Sequence, residues 1–340
     1  MEQSSYFIGE FPNKHIQRID KLGFYKSRNM QFAKWIEKEK FLNLGIPAEL
    51  KNVVNGLNHC SDILLFKNYY EDNKIILNRG NFCHYHTLCP ICAINRAAKN
   101  VRNLELKTAL LLEKHPSCKL YYAVLTVKNS PSLLDSFQKL HQGLKDLIAQ
   151  RRYAISAKNG RKKNLFALNS TFANVIGGMY SLEIKRGKNS NLWHPHANIL
   201  ILADKELSKN ELSKEWQGIT KDSHIVYLEE KKFEKQVFVE IAKYAFKFSN
   251  MEFEDNFHAF RTLKSRRLMG TFGDMWGLSS EIEETKKQLN LEREDLPYLE
   301  MIYNYILGRS TYAPPIIRFT PPPPPKGGAD FSPLSCSQVV

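Results

Sequence analysis

The stretch Trp193-His194-Pro195-His196-Ala197-Asn198-Ile199-Leu200-Ile201-Leu202 decides how this chain is read. Side chains repeat every two residues along a strand, so His194, His196 and Asn198 share a face. Residues 179–186 make a second strand pattern with Ser181, Glu183 and Lys185 on one face, and the turn-rich Gly187-Lys188-Asn189-Ser190-Asn191 joins the two as a hairpin. Two imidazoles side by side hold a divalent ion when a third ligand comes from a neighbour, and Glu183 is the candidate. Packed, non-ligating histidines are the plainer alternative.

Some forty residues later comes Glu240-Ile241-Ala242-Lys243-Tyr244-Ala245-Phe246-Lys247, inside a helix predicted over 233–248. Spacings of four and three put Glu240, Tyr244 and Lys247 on one side. A phenol with a pKa of about 10 is a weak nucleophile at neutral pH, so attack by Tyr244 on a phosphodiester needs a cation to polarise its oxygens. An ion at the two histidines would do that.

Upstream lie Cys60 and then Cys83-His84-Tyr85-His86-Thr87-Leu88-Cys89-Pro90-Ile91-Cys92. A Cys-x-x-Cys knuckle lets Cys89 and Cys92 face one tetrahedral ion, and Cys60 and Cys83 complete a four-thiolate structural zinc set. His84 or His86 can stand in for one thiolate, and a redox pair or buried free thiols is the competing reading. Cys118 and Cys336 stand apart.

The 340 residues carry 49 Lys and Arg against 35 Asp and Glu, a formal charge of +14 that favours a polyanionic partner. Arg151, Arg152, Arg161, Lys162 and Lys163 sit near Tyr153 and Phe166, and Arg266 and Arg267 form a second basic stretch, a mixture suited to phosphate contact and base stacking. Asn95, Arg96, Lys99, Arg102 and Lys107 mark a helix predicted over 93–114, where a solvated face explains the charge as well as DNA does. No run of about eighteen apolar residues and no signal peptide is evident, so no membrane is expected and a cytoplasmic location follows.

Helices are predicted over 31–42, 47–57, 133–150, 208–217, 281–294 and 296–307, and strands over 120–127 and 224–228. The stripe Leu133, Phe137, Leu140, Leu144, Leu147 and Ile148 is core. Strands alternating with single helices predict an α+β fold, an antiparallel central sheet with helices on one side, plus a small zinc knuckle in a helical N-terminal region. Expected divisions are 1–115 (helical, Cys-rich knuckle), 116–275 (catalytic), 276–312 (C-terminal helices) and 313–340, an extended, disordered tail with five prolines over 321–325.

Taken in order, Cys89-Pro90-Ile91-Cys92, Ala123-Val124-Leu125-Thr126-Val127, Trp193-His194-Pro195-His196 and Glu240 to Lys247 resemble the motif set of plasmid rolling-circle replication initiators, of the HUH endonuclease superfamily. The similarity spans roughly Cys60 to Gly273. It implies an RRM-like palm and a Mg²⁺- or Mn²⁺-dependent nick at a plasmid origin, on a single-stranded or hairpin site. Tyr244 would join the 5′ end and leave a 3′ hydroxyl as primer, and Glu240 would activate water to end the cycle. Host helicase and polymerase are implied partners. Asn198 replaces a histidine often found in the family, which leaves the third metal ligand open between Glu183 and Asn198. A transposase or relaxase of the same superfamily, or a non-catalytic zinc-containing DNA-binding protein, are the alternatives.

Overall fold

The computed structural model describes residues 11–40, 46–187, 190–242, 251–294 and 296–320. Helices α1 (Asn13–Trp35) and α2 (Ala48–His59) lead into the hairpin β1 (Ile63–Tyr69) and β2 (Lys74–Gly80). Then come α3 (Pro90–Lys114), β3 (Lys119–Thr126) and α4 (Leu133–Lys158). After two short 3₁₀ segments follow β4 (Val175–Arg186), β5 (Trp193–Ala203), α5 (Lys209–Thr220), β6 (Val226–Lys231) and α6 (Lys235–Ala242). The remainder is α7 (Phe253–Thr262), β7 (Met269–Gly273), α8 (Ser279–Glu294), β8 (Tyr298–Ile306), β9 (Thr311–Tyr312) and β10 (Ile316–Thr320).

Two antiparallel sheets result. The first has the order β6-β3-β5-β4-β7, with β5 at its centre, and the predicted hairpin is its β4–β5 pair. The α4 stripe is core as expected: Leu133, Phe137, Leu140, Leu144 and Leu147 pack on Leu182, Ile184, Ile199 and Ile201, and α5 adds Trp216. Gly143 is needed there, because a Cβ would stand 2.9 Å from the Trp216 ring.

Helices lie on both faces of this sheet, which corrects the expectation of a one-sided cover. Met179, Leu200 and Leu202 are buried on the second face under Val101 and Leu104 of α3, Phe238 and Ile241 of α6, and Ile282 of α8. The physical reason stands in β5 itself: over 199–203 it is apolar at every position, as a strand buried on both sides must be.

The second sheet, β10-β8-β1-β2 with β9 on β8, joins the two ends of the described chain. The helix expected over 296–307 is the strand β8, in which Met301 and Tyr303 alternate into the core after Pro297. The N-terminal region is accordingly not all helical, and part of the expected extended tail, Ile316–Thr320, is a paired strand. Residues 321–340 lie outside the described residues.

Helix α1 begins well before the predicted 31–42; buried polar side chains interrupt its apolar period, so its first turns carry no amphipathic signal in the sequence. Lys26, 1% exposed, pairs with Asp62 at 2.5 Å and donates to the Asn58 carbonyl, and His15 and Asn29 of the same helix are buried as well. Among the described residues, no helix is long and apolar enough to cross a membrane.

Candidate functional site

The second face of the β4–β5 hairpin changes character along its length. Where α3 and α6 cover it, it is apolar; beyond Ser181 and Asn198 it is polar. Antiparallel pairing sets Ser181 opposite Asn198, Glu183 opposite His196 and Lys185 opposite His194. Directly opposed side chains have Cβ atoms about 5 Å apart, so a carboxylate and an imidazole are offered side by side at the Glu183–His196 pair.

Glu183 is only 3% exposed and ion-pairs with Lys185 at 2.9 Å, its neighbour on the same face of the strand. Asn198 is also buried, and its Oδ1 accepts a hydrogen bond from Tyr122 Oη at 2.8 Å. Tyr122 lies on β3 opposite Leu200, two residues before Val124, the partner of Asn198, and the sequence pattern of its strand singled out no role for it. His194 is half-buried, with Nε2 3.3 Å from Ser190 Oγ and its ring against Gly187, where a Cβ would come within 2.4 Å of Nε2. His194, His196 and Glu183 therefore share one face in adjacent registers, but their ligand atoms are not drawn within 4.8 Å of one another.

Helix α6 is laid over this face. Ser181 Oγ donates to the Ile241 carbonyl at 3.0 Å, and Phe238 and Ile241 are fully buried against the sheet. Glu240, half-buried, accepts from Gln236 Nε2 at 3.2 Å. Tyr244 and Lys247 lie outside the described residues.

The four cysteines do converge. Cys60, Cys83, Cys89 and Cys92 bring their sulfurs within 4.8 Å of one another, with Cys60–Cys89 at 3.5 Å and Cys60–Cys92 and Cys83–Cys92 at 3.6 Å. A disulfide needs about 2.05 Å. Four thiolates at about 2.3 Å from a tetrahedral ion sit about 3.8 Å apart, close to the spacing found. Cys89 caps α3 and accepts from Cys92 N at 3.4 Å and from Asn29 Nδ2 at 3.0 Å, while Cys60 accepts from Cys83 N at 3.5 Å. Burial opposes ionisation of Cys89, but hydrogen bonds from Cys60, Cys83 and Cys92 hold its thiol well below the ordinary range. The same contacts with the other three thiols, reinforced by burial, push Cys60 up. This cluster can hold a metal ion.

Neither nearby histidine is in the cluster. His86 donates from Nδ1 to the His84 carbonyl at 3.1 Å and lies against Arg96; burial first, and the Arg96 charge second, lower its pKa.

The basic side chains separate. Arg152, Arg161, Lys163, Arg266 and Arg267 are exposed, and Lys162 opens the 3₁₀ segment Lys162–Asn169. Arg266 packs over the Phe137 ring at 5.8 Å. Arg151 does not face solvent, which corrects its place among the expected DNA contacts: at 9% exposure its guanidinium donates to the carbonyls of Val175, at 2.7 Å, and Ile176, and to Asp274 at 2.6 Å.

The chain is similar to curated proteins named "Protein rep". One from Streptococcus pneumoniae serotype 2 (strain D39 / NCTC 7466) is 24% identical over 301 residues, covering 82% of this chain and 86% of that protein. Another, from Bacillus sp, is 25% identical over 288 residues, covering 73% and 84%. A third, from Lactiplantibacillus plantarum, is 24% identical over 208 residues, covering 58% and 60%. No family model and no solved structure matches. The chain is a relative of the Rep proteins.

Proposed function

We propose that this relative of the Rep proteins is a plasmid replication initiator that nicks one strand of its origin, of the HUH type. What supports the reading most is the polar half of the β4–β5 face, where Glu183 stands opposite His196 and, two residues away, Ser181 bonds the helix bearing Glu240.

His194, His196 and Glu183 would hold the divalent ion. Asn198 is the weaker candidate because its one ligating oxygen already accepts from Tyr122. A bound Mg²⁺ or Mn²⁺ would polarise the scissile phosphate and stabilise the leaving oxygen. The donors fit such an ion by type and register, and the buried Glu183 carboxylate already has one cation beside it, Lys185.

Tyr244 would attack the phosphorus through its phenolic oxygen. A phosphotyrosyl bond to the 5′ side forms as the P–O3′ bond breaks; the phenol gives up its proton and the released 3′ oxygen takes one, leaving a 3′ hydroxyl for the host polymerase. Glu240, one helical turn before Tyr244, would later take a proton from the water that hydrolyses the linkage. Lys247 would face the same phosphate. The four cysteines would hold Zn²⁺ as a structural ion, tying the loop before α3 to α1 and α2.

The test uses purified full-length protein and single-stranded oligonucleotides tiling the plasmid's own origin, with and without Mn²⁺. A protein-linked 5′ product is expected with the ion and none with Tyr244→Phe, whose DNA affinity should stay within about twofold. An adduct formed by the Phe variant would remove Tyr244 from the role. Metal analysis of the same preparation should find about one zinc per chain; a zinc-free, folded protein would reduce the cluster to buried thiols.

A further inference from the structure

Helix α3 presents a face that the nicking chemistry leaves unexplained. Its apolar side, Val101, Leu104 and Leu111, packs on the sheet, while Arg96, Lys99, Asn100, Asn103 and Lys107 recur at intervals of three and four on the other side. Three cavities of about 460, 960 and 660 Å³ run along that side, and Arg96 lines all three. Asn100 and Asn103 each line two of them. The cavities thus share walls along the helix.

The walls are cationic throughout. Arg267 stands across from α3, Lys99 and Arg102 line the cavity towards the cysteine loop, and Lys286 of α8 closes it. Among the described residues, no aspartate or glutamate lines any of the three. Lys99, Arg102 and Arg267 are exposed and make no hydrogen bond or ion pair among the described residues, unlike Arg151, which the fold consumes. Flat side chains stand at both ends: Trp276, 70% exposed, at the β7 end, and His84 and His86 at the cysteine loop. The groove reaches Ser181, two residues from Glu183 along β4.

We propose that this groove holds single-stranded DNA as it enters or leaves the Glu183–His196 face; the proposal rests on the nicking reading given above. Arginine and lysine without internal partners, facing cavities in which no described residue offers a carboxylate, match the phosphates of a polyanion, and exposed rings give bases a surface to stack on. From Arg96 to Lys107 the helix rises about 16 Å, enough for about five nucleotides at the 3.4 Å rise of one strand. A duplex keeps its bases inside and gives Trp276 nothing to stack on. The cysteine cluster gains a role in this arrangement, because the loop it holds forms one wall.

The experiment measures binding of a labelled single-stranded 20-mer of mixed sequence, and of its duplex, to the full chain across a salt series. Lys99→Gln/Arg102→Gln/Arg267→Gln should weaken single-strand binding about tenfold or more at 0.1 M salt and lower the slope of log affinity against log salt by about 2, near 0.7 per lost phosphate contact. The charge-keeping variant Lys99→Arg/Arg102→Lys/Arg267→Lys should bind like wild type, which separates charge from folding. Unchanged single-strand affinity and slope in the glutamine variant, or a loss confined to the duplex, overturns the groove. A wild-type protein that forms the tyrosyl adduct while the glutamine variant binds normally sinks the groove and spares the nuclease; no adduct from wild type, with weakened binding by the variant, sinks the nuclease alone.

Discussion

One hydrogen bond separates two residues that a strand pattern makes equivalent. Asn198 and Glu183 both reach the histidine face, yet Tyr122 holds the only metal-ligating oxygen of Asn198, whereas Glu183 stands opposite His196. Glu183→Ala should therefore raise the Mn²⁺ concentration for half-maximal adduct formation by more than about 100-fold, and Asn198→Ala by about tenfold, the low end for a residue acting behind the ligands. A Mn²⁺ titration in which Asn198→Ala shows the larger shift would exchange their roles. Sharing of a face by Glu183, His194 and His196 was legible from alternation alone. The Tyr122 contact was not, because it crosses from β5 to β3, 76 residues away in sequence.

At the scale of elements, Arg151 shows why a basic residue is not by itself a DNA contact. It reaches from α4 to the first two carbonyls of β4 and to Asp274 after β7. Gly273, at φ +62, leaves room for it: a Cβ there would come within 3.0 Å of the guanidinium carbon. Arg151→Ala should lower unfolding free energy by about 2 to 4 kcal/mol in urea titration, since it leaves buried acceptors unpaired, and should leave the salt slope of single-strand binding unchanged. A changed slope with unchanged stability would return Arg151 to the DNA surface. The α4 stripe was legible because it is regular over about four turns. Residues 298–306 were not, since Leu299, Ile302 and Tyr305 fit a helical spacing while Leu299, Met301, Tyr303 and Tyr305 fit an alternating one, and pairing with β1 and β10 selects the strand.

At the scale of the whole molecule, the two ends of the described chain close on each other. Strand β8 lies between β1 and β10, and His15 of α1 meets Tyr303 of β8, Nε2 to Oη at 2.9 Å. Burial, with a smaller push from Arg18, lowers the His15 pKa to about 4. The neutral ring is the folded form, so stability from His15 is complete above about pH 6.5, where the unfolded chain is neutral too. It falls as pH drops from 6.5 towards 4, because the unfolded state takes up a proton that the folded state refuses. Between pH 7.5 and 5 the urea midpoint should drop by the equivalent of about 1 to 2 kcal/mol more in wild type than in His15→Gln. Parallel pH profiles for the two proteins would show that His15 is not the titrating group.

Local pattern was enough to read the β4–β5 hairpin, the histidine face, the α4 core stripe and the pairing of Cys89 with Cys92, because strand alternation, helical period and knuckle spacing are written into adjacent residues. Only the tertiary structure placed helices on both faces of the first sheet, assembled the second sheet from residues 63–80 and 298–320, chose Cys60 and Cys83 over the histidines, and withdrew Arg151 from the surface. Each of these is settled by contacts between segments far apart in the chain, and such contacts leave no period in the sequence from which to read them.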